Sequence, residues 1–114
     1  MSENSHKDLA DALEGLNKPD SDGRVYGVFI KAGSVSSWRK VYPVNGTDFK
    51  LSELYDFVSD PIEVVYMEDL IMVINEEGKL SSLPLNMTAT MISGLYPNDV
   101  IVGNALVCSK DLVL

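Results

Sequence analysis

The run VIVGNALVC, Val100 to Cys108, restricts the possible folds of this chain more than any other segment. Its apolar residues do not alternate with polar ones, so a strand made from it is apolar on both faces and belongs in the middle of a sheet. A chain of 114 residues can bury one core around such a strand and not two. With 46% apolar residues, it has enough apolar surface to offset the entropy of ordering, which disordered chains lack.

Six more β-rich or helical segments precede that run. RVYGVFIKA is rich in β-branched and aromatic residues and predicts a strand, broken by the small residues of GSVSS. WRKVYPV predicts a second strand, with Trp38, Lys40, Tyr42 and Val44 on one face and Arg39, Val41 and Pro43 on the other. Pro43 has no N–H for a ladder, which places this segment at an edge or ends it there, and Asn45-Gly46 turns the chain. In LSELYDFV, Leu51, Leu54, Tyr55 and Val58 share one helical face and Ser52, Glu53 and Asp56 point outward, so the spacing predicts a short amphipathic helix that ends before Pro61. IEVVYM and LIMVIN read as a hairpin around Glu68-Asp69. Asn86 is placed to cap a helix from Met87 to Ser93, and Gly94 to close it in a left-handed conformation.

Residues 1–23 read as an appendage and linker. Ser5 and Asp8 have the spacing of a helix cap, Leu9, Leu13 and Leu16 fall on one helical side, and NKPDSDG reads as the linker. A helix this short is marginal in isolation, so it either docks or stays largely unfolded. The expected architecture is therefore a single α+β domain over residues 24–114: a mixed or mostly antiparallel sheet of about five strands with two short helices. A flexible or loosely docked segment over residues 1–23 precedes it.

The net charge is −8 and it is unevenly placed. Residues 48–77 carry nine carboxylates against Lys50 alone, whereas residues 24–47 carry Arg24, Lys31, Arg39 and Lys40 and no acid. Such a balance disfavours direct nucleic-acid binding, which depends on Lys and Arg displacing counterions from phosphate. It favours a solvated acidic face, available to a basic partner. The longest apolar run falls far short of the ~20 residues that a membrane span needs. The amino-terminal stretch lacks the basic and apolar regions of a secretory signal, so the expected location is the cytoplasm. Cys108, the single cysteine, sits among apolar neighbours and reads as a small core residue.

No motif in the chain specifies a reaction. There is no Walker-type loop, GxGxxG, CxxC or HExxH, and the one histidine, His6, lies in the appendage. Asn75-Glu76-Glu77-Gly78 resembles a ligand cluster but reads as a four-residue hairpin loop: Asn75 bonds the backbone ahead of it and Gly78 supplies a positive φ. Adjacent glutamates point in different directions, so no metal site and no cofactor are expected. Trp38 beside Arg39-Lys40 is the one place where basic and aromatic residues interleave, a small patch for an acidic partner or another copy of the chain.

FKLSEL, IEVVYM, VINEEGKL, LPLNMTAT and DVIVGNALVC occur here in an order and spacing that resemble a small family of domains of unknown function found in bacteriophage, plasmid and large-DNA-virus proteins. The resemblance spans residues 49–108 and implies context rather than activity: an accessory protein of a virus or mobile element inside a host cell. The preferred expectation is a non-enzymatic interaction protein that binds a host or viral protein partly through Asp48, Glu53, Asp56, Glu63, Glu68, Asp69, Glu76 and Glu77, one version being imitation of DNA charge. An alternative is a small-molecule-binding domain or minor enzyme with a pocket near Asn75, Glu77 and Asn86; Asn75, Gly78 and Asn86 otherwise read as structural turns. A further alternative is a structural subunit that self-associates by edge pairing near WRKVYPV.

Overall fold

The computed structural model describes residues 6–33 and 37–113. Five strands form one sheet: β1 (Gly27–Lys31), β2 (Ser37–Val41), β3 (Ile62–Tyr66), β4 (Leu70–Asn75) and β5 (Ala105–Ser109). Their spatial order is β2-β1-β5-β4-β3, and every pairing is antiparallel. The hairpins β1–β2 and β3–β4 flank β5, so the segment that is apolar on both faces is central, and WRKVYPV forms an edge that stops before Pro43.

Both faces of the sheet are covered, and the side-chain alternation of the inner strands shows why. Val28, Ile30, Met72, Ile74, Ala105 and Val107 enter one apolar core and Phe29, Ile71, Val73, Leu106 and Cys108 the other, so the single core expected for this length is divided in two by the sheet. The first core is closed by α1 (His6–Glu14) and α3 (Met87–Ser93), the second by α2 (Leu51–Val58) and a 3-10 turn at Lys110–Leu112. Period-2 alternation between two apolar layers produces the uninterrupted apolar runs of β4 and β5.

The strand drawn from VIVGNALVC is shorter than its apolar run. Gly103 takes φ +80° and Val102 makes an isolated bridge to Leu85. Asn104 then leaves the ladder, its Oδ1 accepting from the Ala32 N–H at 2.9 Å and its Nδ2 donating to the Phe57 carbonyl at 3.3 Å.

The amino-terminal helix is docked. Leu9, Ala12 and Leu16 are buried in the first core, and the Tyr26 hydroxyl donates to the Ala12 carbonyl at 2.7 Å, satisfying one of the orphan acceptors at the end of α1. Gly15 makes this approach possible, since a Cβ there would lie 2.7 Å from the Tyr26 oxygen. The NKPDSDG segment is an ordered turn rather than a loose tether. Asp20 accepts from the N–H groups of Asp22 and Arg24 and from the Tyr42 hydroxyl, while Gly23 takes φ +78°. The expected cap at Ser5 lies outside the described residues.

Two local expectations need correction. Leu51 does not face the core: it is exposed, and Phe57 takes its place, packed 5.1 Å from Phe29 and 6.0 Å from Phe49 between ring centroids. Asn75-Glu76-Glu77-Gly78 is not a hairpin loop either, because β4 pairs with β3 and β5 and the chain after Gly78 forms successive turns without a strand. Asn75 does bond ahead to the Glu77 N–H at 2.8 Å. Gly78, however, is needed for space and not for a positive φ: a Cβ there would meet Val102 Cγ2 at 2.8 Å.

Asn86 caps α3 as its position suggests and Gly94 closes the helix at φ 78°. Fully buried, Asn86 accepts from Ala89 N–H at 3.0 Å and donates to the carbonyls of Ile30 and Gly103 at 3.1 and 2.9 Å. Thr90 continues the network, donating to the Asn86 carbonyl and accepting from Ile101 N–H, each at 2.8 Å. Asn86→Ala removes a cap and leaves buried carbonyls short of a donor, so the urea midpoint should fall by the equivalent of about 2–4 kcal/mol. Tyr26→Phe should loosen α1 selectively, seen as faster amide exchange in residues 9–14 with the sheet amides unchanged.

Candidate functional site

The carboxylates of residues 48–77 do not form one surface. Asp48 accepts from the Asn45 amide at 2.8 Å and the Thr47 hydroxyl at 3.1 Å, completing the turn that Asn45-Gly46 begins. Glu53, third residue of α2, receives the N–H groups of Lys50 at 2.9 Å and Val44 at 3.0 Å, which is the backward half of a capping box. Both carboxylates therefore hold the entry to α2, and Asp56 lies exposed further along that helix.

Glu63, Glu68, Asp69, Glu76 and Glu77 are exposed. Glu68-Asp69 and Glu76-Glu77 stand at opposite ends of β4, so roughly 20 Å of strand separates them. Among the described residues the ion pairs are Lys7 with Asp11 and Lys79 with Asp99, and no hydrogen bond or ion pair engages the side chains of Asp56, Glu63, Glu68, Asp69, Glu76 or Glu77.

Glu63 and Glu76 are the pair that the fold brings together. Glu63 lies opposite Ile74 in the β3–β4 ladder, and the ladder continues with Glu76 N–H bonded to the Pro61 carbonyl at 2.9 Å. The two glutamates are thus diagonal neighbours on the sheet face that carries α3, about 7–8 Å apart at their Cα atoms. Both line a cavity of about 210 Å³ whose apolar walls include Val65, Ile74, Leu80 and Val102. The Lys79–Asp99 ion pair lies at its side; the Lys79 ammonium beside Asp99 holds that carboxyl below its usual range, helped by the Val100 N–H.

The pocket expected near Asn75, Glu77 and Asn86 is only partly assembled. Asn75 touches the cavity, but Glu77 and Asn86 do not line it. The Asn75 amide donates to the carbonyls of Val58 and Ser59, each at 3.2 Å, so it closes the end of α2. With its Oδ1 on Glu77 N–H and Asn86 bonded as above, both amides are engaged with backbone rather than directed at a ligand.

The basic patch resolves in a similar way. Arg39 lies over the Phe29 ring of β1 at 5.1 Å and Lys40 over the ring of Tyr26, the residue before β1, at 4.6 Å, so the two cations cover aromatics that enter opposite cores. Arg24 covers Tyr42 at 3.6 Å. The Arg24 N–H holds the Asp20 carboxyl below its usual range, with the Tyr42 hydroxyl, Asp22 N–H and Lys40 adding to it. This Asp20, Arg24, Tyr42 cluster was not visible in the sequence, although a Pro-Asp-x-Asp-Gly run is a turn signal that marks its centre.

Among the described residues no group of three or more His, Cys, Asp or Glu is arranged to hold a metal ion, and no helix is long and apolar enough to cross a membrane. Residues 35–112 match a family described as Domain of unknown function (DUF3846). The matched span runs from β2 through β5 and leaves out α1 and β1, although β1 lies between β2 and β5 in the sheet. No curated protein and no solved structure matches the chain.

Cys108 is fully shielded and burial pushes its thiol up to about 12. In the unfolded chain it ionises near 9.0. The unfolded state therefore loses this proton first, and stability that is complete below that pH falls by about 1.4 kcal/mol per pH unit above it until the folded thiol also ionises. Burial raises Tyr26 and Tyr42 as well, with Asp20 contributing to both, so their effect has the same sign. Urea midpoints at about pH 8 and about pH 10.5 should show the loss, and Cys108→Ala should reduce the slope. At the lower pH a thiol reagent should label Cys108 only in urea.

Proposed function

We propose that the chain, which belongs to the family described as Domain of unknown function (DUF3846), is a non-enzymatic interaction module that binds a basic protein surface. The observation that carries this reading is the set of exposed carboxylates, Glu63, Glu68, Asp69, Glu76 and Glu77, none of which is satisfied within the chain among the described residues. Solvated acids without internal partners keep their full field for an incoming cation, and such fields steer association and select partners more than they add affinity. Their position around β3 and β4, with Glu63 and Glu76 exposed at the rim of the cavity they line, suits contact with a macromolecule.

The context proposed for it is an accessory role for a virus or mobile element, in the cytoplasm of a host cell. Imitation of DNA charge is a narrower version. The amount of charge favours it, but the spacing does not: Asp48 and Glu53 are committed to the entry of α2, and Asp56 lies on a helix packed against the sheet face opposite Glu63.

Raising salt from about 0.1 M to about 1 M shortens the Debye length from about 10 Å to about 3 Å. Proteins captured from a host-cell extract by the immobilised chain, identified by mass spectrometry, should be basic and should elute across that change. A variant carrying Glu63→Gln, Glu68→Gln, Asp69→Asn, Glu76→Gln and Glu77→Gln should fail to capture them. Capture that survives both changes would contradict the reading.

A further inference from the structure

The β3–β4 ladder fixes which backbone groups of β3 face outward. Met67 N–H bonds the Leu70 carbonyl at 2.9 Å and Glu76 N–H bonds the Pro61 carbonyl at 2.9 Å. Antiparallel pairs alternate between bonded and non-bonded, so with the observed register Glu63 and Val65 bond inward to β4. Ile62, Val64 and Tyr66 therefore turn their N–H and C=O groups toward the open side, where β3 is the last strand of the sheet. No helix or loop hydrogen bond closes this side among the described residues.

The same edge is acidic and has a hollow beside it. Glu63 projects from β3, Glu68-Asp69 stand at one end and Glu76 at the other, and the cavity between Glu63 and Glu76 opens on the face that carries α3. Tyr66, 66% exposed, adds an aromatic surface on the other face.

We propose that the β3 edge is a docking rail for an extended basic segment of a partner protein, which adds as a sixth strand and directs a lysine or arginine into the cavity between Glu63 and Glu76. Main-chain bonds to Ile62, Val64 and Tyr66 supply register, and alternate side chains supply specificity. An added strand lies about 4.8 Å from β3, a distance that a lysine or arginine stem can cross along Val65 while its charged end reaches the glutamates. A second copy pairing β3 with β3 is disfavoured, since antiparallel pairing about Val64 sets the two Glu63 side chains as diagonal neighbours on one face, where like charges repel. This proposal rests on the acidic-surface reading above.

A displayed library of random short peptides, selected on the full chain, provides the test. Enriched peptides should carry Lys or Arg at alternate positions among β-branched residues. Binding should slow amide exchange at Ile62, Val64 and Tyr66. Val64→Pro, which removes one outward N–H at an edge position that tolerates proline, should abolish binding. Glu63→Gln with Glu76→Gln should weaken it about tenfold. If Val64→Pro does not fold, the exchange measurement on the unaltered chain decides alone.

Enrichment of peptides without basic residues, no enrichment, or unchanged exchange at the three amides would overturn the rail. If salt and the glutamine pair weaken binding while Val64→Pro and exchange have no effect, the acidic surface stands and the rail fails. If none of them matters, both fail. A peptide-free dimer by light scattering that Val64→Pro dissolves would make a second copy the occupant and reject the proposal.

Discussion

Leu106 and Val107 are neighbours in the chain, and both are fully buried, one beneath each helical layer. Consecutive residues of a strand point to opposite faces, so this is possible only if apolar cover exists on both sides. β1 and β4 obey the same requirement through Val28, Phe29 and Ile30 and through Ile71, Met72 and Val73. Three adjacent strands that each need two layers leave no sheet face open to solvent. What remains accessible is the outer surface of the helices, the connecting turns and the two edge strands, so any contact with another molecule must be made there.

A sheet enclosed in this way must end its polar backbone groups inside the molecule, and asparagine does much of that work. Asn75, Asn86 and Asn104 each offer a donor to a carbonyl and an acceptor to an N–H, joining strand ends to helix ends. Aspartate at the same positions would set its oxygens against carbonyls and bury a charge. The arrangement accounts for these three asparagines, and among the described residues it leaves Asp56, Glu63, Glu68, Asp69, Glu76 and Glu77 as acidic side chains without an internal task.

Elements fixed by local chemistry were legible in advance. Asn86 and Gly94 mark the ends of α3, Pro61 limits α2, and the two-faced apolar run specifies the centre of the sheet. Features that depend on distant partners were not. Leu51 fits the helical period as well as Phe57 does, and what decides between them is the pair of rings from Phe29 and Phe49. Asp20 looks like a linker residue until Tyr42 is brought to it. Gly78 reads as a residue needed for its φ, whereas its surroundings show a need for room beside Val102. The acidic segment was legible as charge, but its division between helix entry, two strand ends and a cavity wall follows from topology alone.

Because β5 joins β1 to β4 yet follows all the other strands in the chain, synthesis produces both hairpins before the strand that unites them. Until Ala105 to Ser109 emerge, β1 and β4 each hold an apolar border open to water and to other nascent chains. A translation stop ahead of Ala105 leaves two ribbons that have no ladder with each other, which makes β5 the clasp of this sheet and its absence a route to aggregation.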